Sequence, residues 1–279
     1  MQEYYLRNIK LILEEKSYEK YFEDLLERAR LEKIEANVLE DMDEEPYGQG
    51  VLYITDSPVV LQRLMDRGYP VLLYYHEENR HKVFPMARYA MEDPVDLSVD
   101  YLERVYRRCA GLPWEILETE RCLLRESRME DQEAFKQIYR EPVVTRYMED
   151  SKADCVWDKE YLQSYIKQAY SYFEFGIWTI VLKDTMEVIG RAGISIKDGW
   201  EEPWLGYVIG KPWQRQGLAY EVCREILEYV KEEYEFRTIY ACIHEENEAS
   251  IGLATKLGFE CLSRNMDKNK DYKIFVRNA

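Results

Sequence analysis

The stretch "KPWQRQGLAYEV", residues 211–222, joins an apolar run ending in "YVIG" to a long amphipathic run in the second half of the chain. Gly217 has no side chain and Ala219 almost none, so neighbouring backbone N–H groups can come close to an anion. The run that follows, "GLAYEVCREILEYVKEEY", carries Val222, Ile226, Leu227 and Val230 as an apolar stripe at helical spacing. The N-terminus of such a helix adds partial positive charge. Lys211 and Arg215 add more, in a chain whose formal net charge is −16. A strand, a tight turn and a helix poised for a phosphate-bearing ligand is one reading; an ordinary turn that uses Gly217 for its backbone freedom is the other.

Strand-like and helix-like runs surround this stretch. Ahead of it come a strand at 121–127, a helix at 129–140, a tyrosine-rich helix at 158–176 closed by Gly176, and three strand-like runs, "IWTIVLK", "EVIGRAGISIK" and "PWLGYVIG". Behind it come the strand "RTIYACIH", the short helix "NEASIGLATKLGF" ending at Gly258, and the closing strand "YKIFVR".

The first half is a separate small α/β unit. Residues 17–40 have helical composition, with Tyr21, Phe22, Leu25, Leu26 and Ala29 on one side. "VLYIT" and "YPVLLYY" are buried-strand runs, and the helix between them starts at Ser57 and Pro58 and stops before Gly68. A last helix runs from Ser98 to Gly111. Alternating strands and helices predict a parallel sheet. Asp56, at the end of "VLYIT", is either a site residue or, more simply, a cap for the next helix. Gly111, Pro113 and a polar turn place the junction near 116, giving domains 1–116 and 117–279.

Apolar residues make up 46% of the chain, enough for a sizeable core. The acidity argues against a nucleic-acid partner and suits a cationic one. Six cysteines without a CxxC pair, and only three histidines, predict reduced thiols and no metal site. No apolar run reaches membrane-spanning length and the start lacks a signal-peptide pattern, so the expectation is a cytoplasmic protein that does not enter a membrane.

The residues Gln214, Arg215, Gln216, Gly217, Leu218 and Ala219 match the Gln/Arg-x-x-Gly-x-Gly/Ala pattern of the GNAT acetyltransferase superfamily. Together with the "LGYVIG" strand before them and Asn247, Ser250, Lys256, Leu257, Gly258 and Phe259 after them, residues 119–279 resemble the branch that acetylates ribosomal-protein N-termini. The resemblance implies a mixed sheet with two splayed central strands. It implies acetyl-CoA as co-substrate, its pantetheine arm along Tyr207, Val208 and Ile209 and its pyrophosphate at Gln214–Ala219. Asn247 and Ser250 would donate hydrogen bonds near the thioester. It implies transfer of the acetyl group to a primary amine, either a protein N-terminus or a small cationic amine.

Two positions depart from the family pattern. Trp204 stands where many relatives carry a carboxylate base; the nearest carboxylates are Glu201 and Glu202, and Glu202 could substitute only with a bulge or shift in the strand. Ala254 stands where many carry a tyrosine acid, leaving Ser250, Tyr220 or a water. The acceptor side would be formed by Tyr147, Glu149, Asp150, Trp157 and Asp158. The competing expectation is an acyl-CoA-binding sensor or interaction module with weakened catalysis.

Overall fold

A computed structural model describes residues 4–40, 49–95, 97–148, 158–263 and 271–279. The chain divides into two compact units, Met1–Trp114 and Glu115–Ala279.

In the first unit five strands form a parallel sheet: β1 (Asn8–Ile12), β2 (Glu35–Val38), β3 (Val51–Thr55), β4 (Val71–Tyr74) and β5 (Ala90–Met91), in the order β2-β1-β3-β4-β5. Helices α1 (Glu23–Leu31) and α3 (Val99–Cys109) bury Leu25, Leu26, Ala29, Leu102 and Val105 against Ile9, Leu11, Leu52 and Ile54. Helix α2 (Pro58–Asp66) buries Leu61 and Leu64 with Val51, Tyr53, Val71 and Leu73. Successive residues of β3 therefore serve opposite cores, as a period of two requires. Ser98 caps α3 by accepting from Tyr101 N–H at 3.0 Å.

Three expectations change here. The helix expected over 17–40 is a 3-10 turn (Lys16–Phe22) followed by α1. The chain then turns at Lys33, φ 65°, and enters β2. Pairing of Glu35–Val38 with Asn8–Leu11 overrides the helical composition of "EANV". Tyr21, expected on the buried side, is 43% exposed. Asp56 does not cap α2, whose N-cap is Ser57. It is buried and accepts the N–H groups of Glu14 (2.6 Å) and Glu15 (3.1 Å), tying the end of β3 to the end of β1, with His76 Nε2 at 3.2 Å.

The second unit holds an eight-stranded mixed sheet. In chain order its strands are β6 (Glu115–Glu118), β7 (Cys122–Arg125), β8 (Ile177–Leu182), β9 (Val188–Ser195), β10 (Trp204–Ile209), β11 (Thr238–His244), β12 (Glu260–Ser263) and β13 (Tyr272–Asn278). The order in the sheet is β12-β13-β11-β10-β9-β8-β7-β6. The junction expected at 116 falls inside β6.

Helix α4 (Gln132–Tyr139), the short α5 (Pro142–Thr145) and α6 (Lys159–Tyr172) precede β8. Helix α7 (Leu218–Glu233) follows β10, and α8 (Glu248–Lys256) follows β11. The stripe read from the sequence is the buried face of α7: Val222, Ile226 and Val230 are 0% exposed, packed in one core with Trp178, Ile180 and Ile239. Burial of such side chains contributes roughly 1.5–3 kcal/mol each. Gly176 does not close α6. Glu174, φ 64°, takes the left-handed position, and Gly176 is small because an added Cβ would lie 2.7 Å from the Tyr165 hydroxyl.

Among the described residues β10 and β11 are the only parallel neighbours in this sheet, and they register at one pair, Trp204↔Tyr240, near the start of β10. Beyond it Tyr207–Ile209 and Ala241–His244 diverge, and the sheet opens.

Candidate active site

The opened strands border a cavity of about 1140 Å³. At one end lies the turn between β10 and α7. Lys211–Trp213 form a 3-10 turn, and Arg215 (φ 61°) and Gly217 (φ 80°) both take left-handed conformations. Turn backbone of this kind can present successive N–H groups to an anion. Those of Arg215, Gln216 and Gly217 find no backbone acceptor among the described residues, and the first turn of α7 leaves further N–H groups without an intrahelical partner. A Cβ added to Gly217 would meet only Arg121 Nη2, at 3.5 Å, so the space beside this backbone is open. These residues suit the pyrophosphate of acetyl-CoA: free donors, a helix N-terminus and room for close approach.

Side chains hold the turn in shape. Gln214 Nε2 donates to Ile209 O (2.9 Å) and Gln216 Nε2 to Pro212 O (2.9 Å). Gln214, Arg215, Gly217, Leu218 and Ala219 line the cavity, whereas Gln216 does not. Lys211 also lies off the lining, with Glu141 at 3.5 Å.

Two residues the sequence reading missed brace the turn. Arg121 donates to Gln216 O at 3.0 Å and binds Glu221 of α7 through Nε and Nη2, both at 2.7 Å. Glu221 also accepts Thr119 Oγ1 (2.5 Å) and Arg121 N–H (2.8 Å). Burial pushes the Glu221 carboxyl up, but these bonds outweigh it and hold it below the usual carboxylate range. The partners lie 100 residues apart, so no local pattern reveals them.

On one side of β10, Tyr207 Oη donates to Ser250 Oγ at 2.8 Å, and Ser250 N–H donates to the Asn247 side chain at 3.1 Å. Asn247 is thus the N-cap of α8. Burial pushes the Tyr207 phenol up to about 12. All three residues line the cavity, as do Val208, Ile209, Tyr220 and Ala254. Trp204 is buried against Tyr240 and Trp200, with Lys197 Nζ 4.0 Å from its ring centre.

Glu202 is not among the lining residues. Its Oε2 accepts the N–H groups of Arg237 (3.1 Å) and Thr238 (3.2 Å), which fixes the entry to β11. His244, at the end of β11, does line the cavity. Its Nδ1 accepts Glu246 N–H at 3.2 Å, and its ring sits between Tyr147 and Tyr272.

On the expected acceptor side, Tyr147 lines the cavity, while Asp158 caps α6 by accepting from Glu160 and Tyr161 N–H. Glu149, Asp150 and Trp157 lie outside the described residues. Among the lining residues the cations are Arg146, Arg191, Lys197, Arg215 and Lys256, against two carboxylates, Glu246 and Glu248. Within an acidic chain the described cavity wall is basic; the acidic pocket expected for a cationic acceptor rests on Glu149 and Asp150, which lie outside the described residues. Among the described residues no cluster suited to a metal ion occurs, and no helix is long and apolar enough to cross a membrane.

A family model, the acetyltransferase (GNAT) domain, matches residues 121–260. A protein of Bacillus licheniformis described as an uncharacterized N-acetyltransferase, p20, is 30% identical over 167 residues, covering 58% of this chain and 93% of that protein. The ribosomal protein uS5-alanine N-acetyltransferase of Escherichia coli is 33% identical over 92 residues, covering 32% of this chain and 46% of that protein. A crystal structure of an acetyltransferase from Agrobacterium tumefaciens shares the fold at a TM-score of 0.50 and 20% identity, covering 58% of this chain and 92% of that one.

Proposed function

The chain belongs to the GNAT acetyltransferase family, and we propose that it moves the acetyl group of acetyl-CoA to a primary amine in the opening between β10 and β11. The observation that carries this reading is the set of N–H groups at Arg215, Gln216 and Gly217 that have no backbone acceptor among the described residues, ahead of α7, with Arg215 and Gly217 on the cavity lining.

Bound acetyl-CoA supplies an acyl carbon activated by its thiol ester. The protein's part is to hold that carbon and the amine together and to move protons. The backbone from Arg215 to Ala219 holds the pyrophosphate, and the divergent edge of β10 at Tyr207–Ile209 receives the pantetheine arm. Ser250 Oγ already accepts from Tyr207 Oη, so its own hydrogen is free to go to the departing sulfur. Tyr207 then restores it and regains its own proton from water in the cavity, which has taken the proton of the amine. A phenol held near 12 stays protonated at neutral pH and remains a donor. Glu202 has no part in this scheme, because its carboxylate is engaged by backbone at the start of β11. His244 is a weak candidate base. Its Nδ1 already accepts a backbone N–H, so in the neutral ring Nε2 carries the proton. The amine is therefore taken in its neutral form, and its proton leaves to water in the cavity.

The relative that acts on a ribosomal-protein alanine makes a protein N-terminus one acceptor to test, beside small amines. Trp204 and Ala254, in place of a carboxylate and a tyrosine, favour a second reading: a module that binds acyl-CoA without efficient transfer. Release of free CoA thiol from acetyl-CoA, with and without a broad amine panel, separates the two. Amine-dependent release supports transfer; tight acetyl-CoA binding without release supports the module.

A further inference from the structure

Arg191 lies on β9 and is only 4% exposed, yet it lines the cavity. Its guanidinium sits over the rings of Phe135 (4.9 Å) and Tyr165 (5.2 Å) and bonds to the Tyr139 side chain. A buried cation is costly unless it is paired. No carboxylate partners Arg191 among the described residues, and its Nε has no hydrogen-bond acceptor. The surrounding phenols do not act as counterions: burial pushes Tyr139 and Tyr165 up, so both stay neutral. Tyr165 Oη accepts Ile177 N–H at 2.5 Å, which leaves its own hydrogen to donate.

The position is also telling. Arg191 registers with Val208, beside the residue pair Ala192↔Tyr207, on the face of the sheet that α4 covers. It thus belongs to the wall shared with Tyr139 and Tyr165, not to the phosphate turn at the start of α7. A planar cation with an unpartnered Nε among aromatic rings, on the cavity lining and away from the phosphate turn, suits a carboxylate.

We propose that Arg191 holds a carboxylate of the acceptor, so that the acetylated amine belongs to a molecule bearing an acid group a few bonds away. This rests on the N-acetyltransfer reading. The carboxylate is either the α-carboxylate of a free amino acid or the side chain of a peptide that begins with Asp or Glu.

The test compares kcat/KM for free L-amino acids with that for their carboxamides, and for amidated peptides starting with Asp or Glu with those starting with Asn or Gln. A bond from a charged group predicts an acid preference of about 10- to 100-fold in the wild type, expressed mainly in KM. Whichever arm shows it identifies the source of the carboxylate. Arg191→Met should collapse the ratio toward one while calorimetry still shows acetyl-CoA binding, which also reports a folded variant. If Arg191→Met does not fold, Arg191→Lys should keep a weaker acid preference. Equal use of acids and amides by the wild type overturns the proposal, as does an Arg191→Met protein that keeps the preference. If no amine is acetylated, the transfer reading fails. The proposal is then judged by binding of the same acids and amides to protein saturated with CoA: acid preference supports it, and equal or absent binding overturns it.

Discussion

Replacing Gly217 with valine separates backbone from side-chain recognition. At φ 80° a residue with a Cβ costs about 1–2 kcal/mol, and a β-branched one resists the conformation further. The protein itself has room, since the nearest atom to an added Cβ is Arg121 Nη2 at 3.5 Å. The unliganded chain should therefore fold and lose only a few degrees in Tm. The ligand does not have that room. If the side chain keeps the pyrophosphate from two charge-assisted N–H bonds, each about 1.5–3 kcal/mol, the loss is about 3–6 kcal/mol, or roughly 150- to 20,000-fold in Kd. Gly217→Ala should fall between the parent and valine. Arg215→Ala should cost only a few-fold, because that exposed charge is screened by salt. Calorimetric titration with acetyl-CoA, run beside thermal unfolding, reads both effects. A Gly217→Val protein that binds like the parent, or an Arg215→Ala protein that loses more than Gly217→Val, refutes the backbone cradle.

Arg121→Ala should weaken acetyl-CoA binding about 10-fold by releasing Gln216 O and Glu221, measured by the same titration. Folding holds the Glu221 carboxyl below its ordinary 4.5, so its stabilisation is complete above that pH and disappears as pH falls through the folded value. The same variant should move this acid loss of stability upward in pH, seen in Tm against pH. Ser250→Ala should lower kcat by about 100-fold and Tyr207→Phe by about 2- to 10-fold, both with acetyl-CoA affinity kept, since one donates and the other supports the donor. A chain starting at Glu115 should unfold cooperatively in denaturant, whereas one starting at 119 lacks β6 and should be less stable.

The second unit was legible because its signals are local. The Gln214–Ala219 turn, the Val222–Val230 stripe and the short helix ending at Gly258 each lie within one turn or helix. The parallel sheet of the first unit was readable from "VLYIT" and "YPVLLYY", which are apolar throughout. Strand β1 was not, because Asn8 and Lys10 interrupt "NIKLI", although Lys10 is buried. Strand β2 hid in a helix-forming composition that only its pairing with β1 overrides. At the site, Glu202 was chosen for its nearness in sequence to Trp204, yet its partners lie 35 and 36 residues further on. Arg121 and Arg191 carry no motif. One acts across 100 residues, and the other reads as an ordinary polar residue in a strand until its burial is known.

Acceptor-dependent release of CoA thiol, followed with wild type and Gly217→Val over one amine panel, tests acetyl transfer in this cavity most directly. Release with the wild type is expected for at least one amine, saturable in acetyl-CoA and lost in Gly217→Val. Tight acetyl-CoA binding by the wild type with no amine-dependent release would contradict it.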